Sequence, residues 1–178
     1  MKRMLVSAAL ETDIVSKKQE APRRQGWHDL KLGHLYGDVE SVTFTEYDVA
    51  DKFGEIVKGE CREKSVYKFN LKGDVVEMAV YNGDGSLKEK KVYKYDSQGN
   101  EVEWAKYNGD GSLDRKNIYK YDSQGNEIEF AVYNCDDSLR SKYLYKYDSQ
   151  GNRIEEVHYK SAIMIPSYMT ERIIVYRK

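Results

Sequence analysis

The octapeptide Tyr-Lys-Tyr-Asp-Ser-Gln-Gly-Asn occurs three times without change, at positions 93–100, 119–126 and 145–152. The chain therefore repeats itself with a period of about 26 residues. A degenerate copy, Val66 to Asp74 with Phe69 and Asn70 in place of Tyr and Asp, carries the period one step toward the N-terminus. A sequence that repeats at this interval stacks one supersecondary unit on the next instead of wrapping a unique core. The array covers about residues 66 to 160.

Each unit carries a second recurring segment, Tyr81 to Leu87, then Tyr107 to Leu113, then Tyr133 to Leu139. Both segments reduce to Asp/Asn-x-x-Gly: Asp96 to Gly99, Asp122 to Gly125 and Asp148 to Gly151 at one end, Asn82 to Gly85 and Asn108 to Gly111 at the other. Asp or Asn first and Gly fourth fit a type I turn closed by a left-handed residue, the three-residue hairpin loop with a bulge. In Asn134-Cys135-Asp136-Asp137 both glycines are replaced, so the second position needs no positive φ, and Asp137 must adopt the left-handed conformation that Gly takes elsewhere. This is the weakest turn. The alternating turns leave room for strands of about 8 to 10 residues, which predicts an all-β antiparallel meander of hairpins.

Taking the bulged-turn register outward from each loop pairs Tyr95 with Glu101, Tyr93 with Glu103, Lys94 with Val102 and Val92 with Trp104. Across the next hairpin it pairs Tyr107 with Leu113, Lys106 with Asp114, Trp104 with Lys116 and Val102 with Ile118. One face then collects Val76, Met78, Val92, Val102, Trp104, Ile118, Ile128, Phe130 and Leu144. The other collects Tyr67, Tyr93, Tyr95, Tyr107, Tyr119, Tyr121, Tyr133, Tyr145 and Tyr147, with Leu87, Leu113 and Leu139 and with glutamates opposite. Neither face is purely apolar, as half of a sandwich would be. The reading is a single-layer or spirally curled open sheet held by many cross-strand pairs. The composition agrees: the 178 residues include 16 Tyr beside 4 Phe and 2 Trp, and only 40% are hydrophobic.

Residues 38–178 read as one β-repeat domain in which the array is flanked by a capping hairpin over about 38–65, with strands at 42–48 and 52–57, and by a cap over about 161–178 with an edge strand at Arg172–Tyr176. Residues 1–37 read as a separate segment, a short signal-like stretch (Lys2 and Arg3 before Met4–Leu10) followed by a linker.

Net charge is −1, with 29 basic against 30 acidic residues, which argues against a nucleic-acid partner or a polybasic membrane surface. No apolar run approaches the length of a membrane span. The Asn82-Gly83-Asp84-Gly85 loop fails as a calcium site, because the first ligand would be Val80, Lys106 or Val132 and the twelfth Lys91, Asn117 or Tyr143. No metal and no cofactor is expected. Cys61 fills the slot of Leu87 and reads as packing; Cys135 should be exposed. His158 stands in the slot of Val80, Lys106 and Val132 and reads as sheet surface, while His28 and His34 have no assignment. Glu101, Glu103, Glu127 and Glu129 recur in step with the repeat, as solvated cross-strand partners do, whereas a catalytic pair would occur once. No catalytic residue is expected. The nine tyrosines of the second face are the candidate binding residues, since Tyr combines contact area with a hydrogen-bonding tip; the competing reading makes them a structural ladder.

The runs Tyr93 to Gly99, Tyr119 to Gly125 and Tyr145 to Gly151, each followed by an aliphatic strand position at Val102, Ile128 or Ile154, resemble the YD repeat of RHS-type proteins. The resemblance covers about half of the chain, in units longer than those of the family. It implies a β-sheet that curls as part of a spiral shell, in bacterial surface or secreted proteins that include toxins. A weaker similarity is to MORN-like hairpin repeats of antitoxin proteins. The function expected is a non-enzymatic surface or secreted interaction module whose Tyr/Glu face meets a protein or a glycan. The alternatives are a cytoplasmic immunity or antitoxin-like inhibitor and a remnant of an RHS-type toxin shell. Oligomeric state is left open.

Overall fold

A computed structural model describes residues 35–160 and 165–177. The signal-like stretch, His28, His34 and most of segment 1–37 lie outside the described residues. Ten strands follow in order: β1 (Ser41–Lys52), β2 (Glu55–Phe69), β3 (Val75–Asn82), β4 (Leu87–Tyr95), β5 (Glu101–Asn108), β6 (Leu113–Tyr121), β7 (Glu127–Tyr133), β8 (Leu139–Tyr147), β9 (Arg153–Lys160) and β10 (Ile165–Glu171). Each pairs antiparallel with the next, giving one open sheet in the order β1 to β10.

The loops have the predicted chemistry. At the YD turns Gly99 donates to the Asp96 carbonyl at 3.2 Å, and Asp96 N–H to the Asn100 carbonyl at 2.9 Å. The Asp96 carboxylate also receives the Gln98 and Asn100 amides, each at 2.9 Å. In the degenerate copy the two side chains exchange roles. Asn70 donates to the Asp74 carboxylate at 3.1 Å, where Asn100 donates to Asp96 at 3.0 Å. Gly99 has φ 90° and Asp137 has φ 60°, so the aspartate does stand in left-handed conformation.

Gly83 and Gly109 are needed for a different reason. A Cβ on Gly109 would lie 2.2 Å from the Leu87 carbonyl oxygen, and one on Gly83 would lie 2.1 Å from that of Cys61. Each of these loops therefore passes against the backbone of the strand before its hairpin, at Cys61 of β2 and at Leu87 of β4, which only Gly allows. Cys135 brings a Cβ to the third loop, and there the ladder is one pair shorter. The β4–β5 ladder begins at Glu89–Asn108, whereas β6–β7 begins at Lys116–Tyr133, and β7 has 7 residues against 8 in β5.

The register differs from the one expected. Tyr95–Glu101 and Tyr107–Leu113 hold, but a bulge follows each, and Lys94 then faces Glu103, Tyr93 faces Trp104 and Val92 faces Ala105. Across β5–β6 the shift is the same, with Lys106 opposite Arg115, Trp104 opposite Asn117 and Glu103 opposite Ile118. The bulge residue behind Tyr95 is Val102, which has no partner of its own. One residue of slip exchanges the faces, so Tyr67, Tyr93, Tyr95, Tyr119, Tyr121, Tyr145 and Tyr147 share a face with Met78, Val102, Trp104, Ile128 and Phe130. Tyr107 and Tyr133 lie on the opposite face with Val92, Ile118 and Leu144.

That opposite face is a charged lattice over small residues. Lys68–Glu77, Lys94–Glu103, Lys120–Glu129 and Lys146–Glu155 stand directly opposite each other at 2.9, 2.9, 3.0 and 2.8 Å. Lys90 and Lys116 lie over the rings of Tyr107 and Tyr133, each at 5.3 Å. Ala79, Ala105 and Ala131 are buried on this face, directly opposite Lys90, Lys116 and Lys142, as small residues are where long side chains fold down over the sheet. Each exposed pair contributes about 0.2–1 kcal/mol, and the repeat multiplies them.

Both caps differ from expectation. Phe53 and Gly54, read within a strand, are the turn of a two-residue hairpin, with φ 59° and 86°; their positive φ values match the strand twist. The last strand is Ile165–Glu171 instead of Arg172–Tyr176. Arg172 donates to the Ile154 carbonyl at 2.8 Å, and β9 begins one residue before that, so the chain beyond Arg172 has no ladder to join. No helix long and apolar enough to cross a membrane occurs among the described residues.

Candidate functional site

The aromatic face is built in two tiers. Tyr67, Val75 and Tyr93 form its buried centre, packed by Val42, Phe44, Phe69, Met78, Tyr95 and Trp104. Tyr67 and Tyr93 are each 2% exposed, so of the candidate binding tyrosines these two offer no ring surface to a ligand. Further along, a row of rings crosses five strands: Tyr119 on Phe130 at 5.1 Å, Phe130 on Tyr143 at 5.7 Å, Tyr143 on His158 at 4.4 Å and His158 against Tyr168 at 4.8 Å. His158, expected at the surface, is 7% exposed within this stack, with its Nδ1 at 2.5 Å from Ser167 Oγ. Sequence reading missed the row because Phe130, Tyr143, His158 and Tyr168 occupy different slots of the repeat and meet only through the register.

The second tyrosine of each YD motif holds the backbone. Tyr95, Tyr121 and Tyr147 donate their hydroxyls to the carbonyls of Val75, Glu101 and Glu127 at 2.8, 2.9 and 2.7 Å. Each acceptor is the first residue of its strand, so the phenol ties a strand to the start of its predecessor. These rings are partly buried. Their hydroxyls serve the backbone of the sheet, and Tyr107 and Tyr133 belong to the lysine lattice.

The acceptor positions form a series of their own at the repeat interval, Val75, Glu101, Glu127 and Arg153. Glu101 and Glu127 are not solvated partners, as expected from sequence, but partly buried among phenols. Burial alone pushes the Glu101 carboxyl up to about 7. Its charge acts on Tyr93, Tyr119 and Tyr121, whose phenols are raised mainly by their own burial, Tyr93 and Tyr121 to about 12. Burial also raises Glu127, against which the Arg153 guanidinium works. Arg153 lies 4.8 Å over the Tyr145 ring and 3.4 Å from Glu156. No ion pair to Glu101 occurs among the described residues. Glu103 and Glu129, one residue out of step with the bulge, fall on the other face. Glu129 is held there by Lys120 and Lys142 at 3.0 and 2.8 Å.

At the end of this face a groove of about 480 Å³ opens between the Asn70–Asp74 loop and β4, lined by Asn70, Leu71, Lys72, Val76, Tyr93 and Tyr95 among others. Lys72 spans it to the Ser97 carbonyl at 2.9 Å. The loop residues Asp96, Gly99, Asn108, Gly111, Asp122, Gly125, Asp148 and Gly151 all serve as turns. Among the described residues no group of three His, Cys, Asp or Glu side chains is placed to hold a metal ion.

No family model and no curated protein matches the chain. Among solved structures it is similar to a protein of unknown function from Bacteroides fragilis, with 15% identity over 74% of this chain and 93% of that one and a TM-score of 0.37. It is also similar to a DUF3836 family protein from Bacteroides vulgatus, with 13% identity, 76% and 100% coverage and a TM-score of 0.22. The third is the Tc holotoxin pore of Photorhabdus luminescens, with 13% identity over 64% of this chain but 9% of that one and a TM-score of 0.25. The neighbours thus include a Tc toxin component at low identity and partial coverage.

Proposed function

We propose that the chain is a non-enzymatic interaction module, displayed at the surface or secreted, whose Tyr/Glu face receives a partner protein through a segment rich in Lys or Arg. What supports this is the exception that Glu101 makes among the glutamates of the sheet. On the lattice face glutamate after glutamate faces a lysine across the strand, and on the aromatic face Glu89 is held by Lys91 and Lys106 at 3.1 and 3.2 Å, whereas Glu101 sits partly buried with phenols and no cation among the described residues. A carboxylate in such a frame gains from a cation delivered to it, because opposite charge restores what burial has cost, and the rings add cation–π attraction.

Titration of Lys/Arg-rich peptides and of a glycan array against the chain tests the reading, with the double variant Glu101→Gln, Glu127→Gln as the control. The basic peptides should bind, weaken with salt, and lose at least tenfold in affinity in the variant. Unchanged peptide affinity in a folded variant, or binding by glycans alone, contradicts the assignment.

A further inference from the structure

The sheet has two edges, and among the described residues β1 and β10 each have one neighbour only. Their backbone polar groups can be assigned a direction. Glu40 accepts from Phe69, and Arg172 donates to Ile154. Antiparallel strands alternate, so Glu40, Val42 and Phe44 turn their peptide groups toward β2, while Ser41, Thr43 and Thr45 point outward. On β10, Tyr168, Thr170 and Arg172 point toward β9, and Met169 and Glu171 point outward. Both outward stretches are short and regular, each bounded by a bulge, at Glu46/Tyr47 on β1 and at Pro166/Tyr168 on β10.

We infer that these two edges pair with each other between copies, β10 of one chain accepting β1 of the next, so that the sheet continues head to tail. Strand direction permits it: with ten alternating strands, β10 runs opposite to β1, as neighbours in this sheet must. One register satisfies every other constraint. Setting Met169 against Thr43 and Glu171 against Ser41 places outward groups opposite outward groups. The same register puts Tyr168 opposite Phe44, both on the aromatic face. Tyr168 is the last ring of the stacked row and is 47% exposed, and Phe44 already packs edge-on against Tyr67 at 5.9 Å. It also sets Arg172 opposite Glu40. Charge favours this pairing over like with like, since β1 carries Glu46, Asp48 and Asp51 against Lys52 alone and two such edges repel, whereas the mixed edge brings Arg172 to Glu40. An interface of this kind is heterologous, with a free edge left on each copy added, so it extends copy by copy instead of stopping at a dimer.

Cross-linking in the full chain tests it, with Cys61 and Cys135 first replaced by Ser in every variant and folding checked by circular dichroism. Val42 and Thr170 would face each other at a close, non-hydrogen-bonded pair, the geometry suited to a cross-strand disulfide. The double variant Val42→Cys, Thr170→Cys should give, under mild oxidation, a ladder of dimers, trimers and longer species, and neither single variant should cross-link. Dimers formed by Thr170→Cys alone or by Val42→Cys alone would show like edges pairing and overturn the inference, as would a double variant that stays monomeric. Sedimentation velocity supplies the second readout: the weight-average coefficient should rise with concentration, fall in Arg172→Glu, and recover in Arg172→Glu with Glu40→Arg. A coefficient independent of concentration in the parent chain overturns it too.

Discussion

Replacing Glu101 by Gln should make the chain more stable at neutral and alkaline pH and leave it unchanged in acid. Free Glu ionises near 4.5, and burial on the aromatic face pushes Glu101 up to about 7. Between those values the folded chain holds a proton that the unfolded chain has released, so stability falls as pH rises through this window and the cost is complete above pH 7. At 1.36 kcal/mol per tenfold change the full displacement amounts to roughly 3 kcal/mol. The carboxyl is only partly buried, and solvent screening reduces this to about 1–2 kcal/mol. Gln keeps the shape and carries no charge. Urea unfolding of both proteins at pH 4 and pH 8 measures the difference directly. The expected result is near coincidence at pH 4 and a variant more stable by about 1–2 kcal/mol at pH 8. Equal stability at both pH values would refute burial as the cause, and a less stable variant at pH 8 would mean that Glu101 has a cation after all. If the gain appears together with weaker peptide binding, stability has been given up at this position for recognition.

Other perturbations address the architecture. Gly109→Ala should splay the second loop as Cys135 does the third, speeding hydrogen exchange at Lys90 and Tyr107, the outermost hydrogen-bonded pair of β4 and β5, and destabilising by about 1–3 kcal/mol through backbone overlap with Leu87. Tyr121→Phe removes the hydroxyl bond to the Glu101 carbonyl at 2.9 Å and should cost about 1 kcal/mol by thermal unfolding. Asn117 Oδ1 is buried without a hydrogen-bond partner among the described residues, so Asn117→Leu should stabilise by about 1 kcal/mol. Gly125→Val should destabilise by about 1–2 kcal/mol through its left-handed φ of 85°, since no neighbour crowds the site.

Loop chemistry was legible because it is local. Asp, Asn and Gly at fixed offsets determine a turn whatever lies beyond it, and even the odd Asn134–Asp137 loop behaved as its residues require. The facing of the strands was not. The pairs nearest each loop, Tyr95–Glu101 and Tyr107–Leu113, follow from the turn alone, but the bulge behind each is set by how the next strands twist. Agreement between consecutive hairpins did not expose the error, because the same bulge displaces both by one residue and the faces still match. That slip moved Trp104 and Phe130 onto the tyrosine side and Tyr107 and Tyr133 off it. A signal for the true register was present in Ala79, Ala105 and Ala131, which recur once per repeat. Small residues recurring mid-strand mark the face on which long side chains fold down. The aromatic row escaped notice for a related reason, since Tyr143 and His158 break the repeat and only pairing brings them together. Glu101 and Glu127 looked like their neighbours Glu103 and Glu129 in sequence, and one bulge residue separates the buried pair from the neutralised one.

The division of the sheet into an aromatic face and a lysine lattice depends on this register, and nuclear Overhauser contacts decide it. With Tyr, Trp and the methyls of Val and Ala labelled, the ring of Tyr93 should contact the Trp104 indole, and the Val92 methyls should contact the Ala105 methyl. Contacts from the Val92 methyls to the Trp104 indole, with none from Tyr93, would contradict the assignment of the faces and the site built on it.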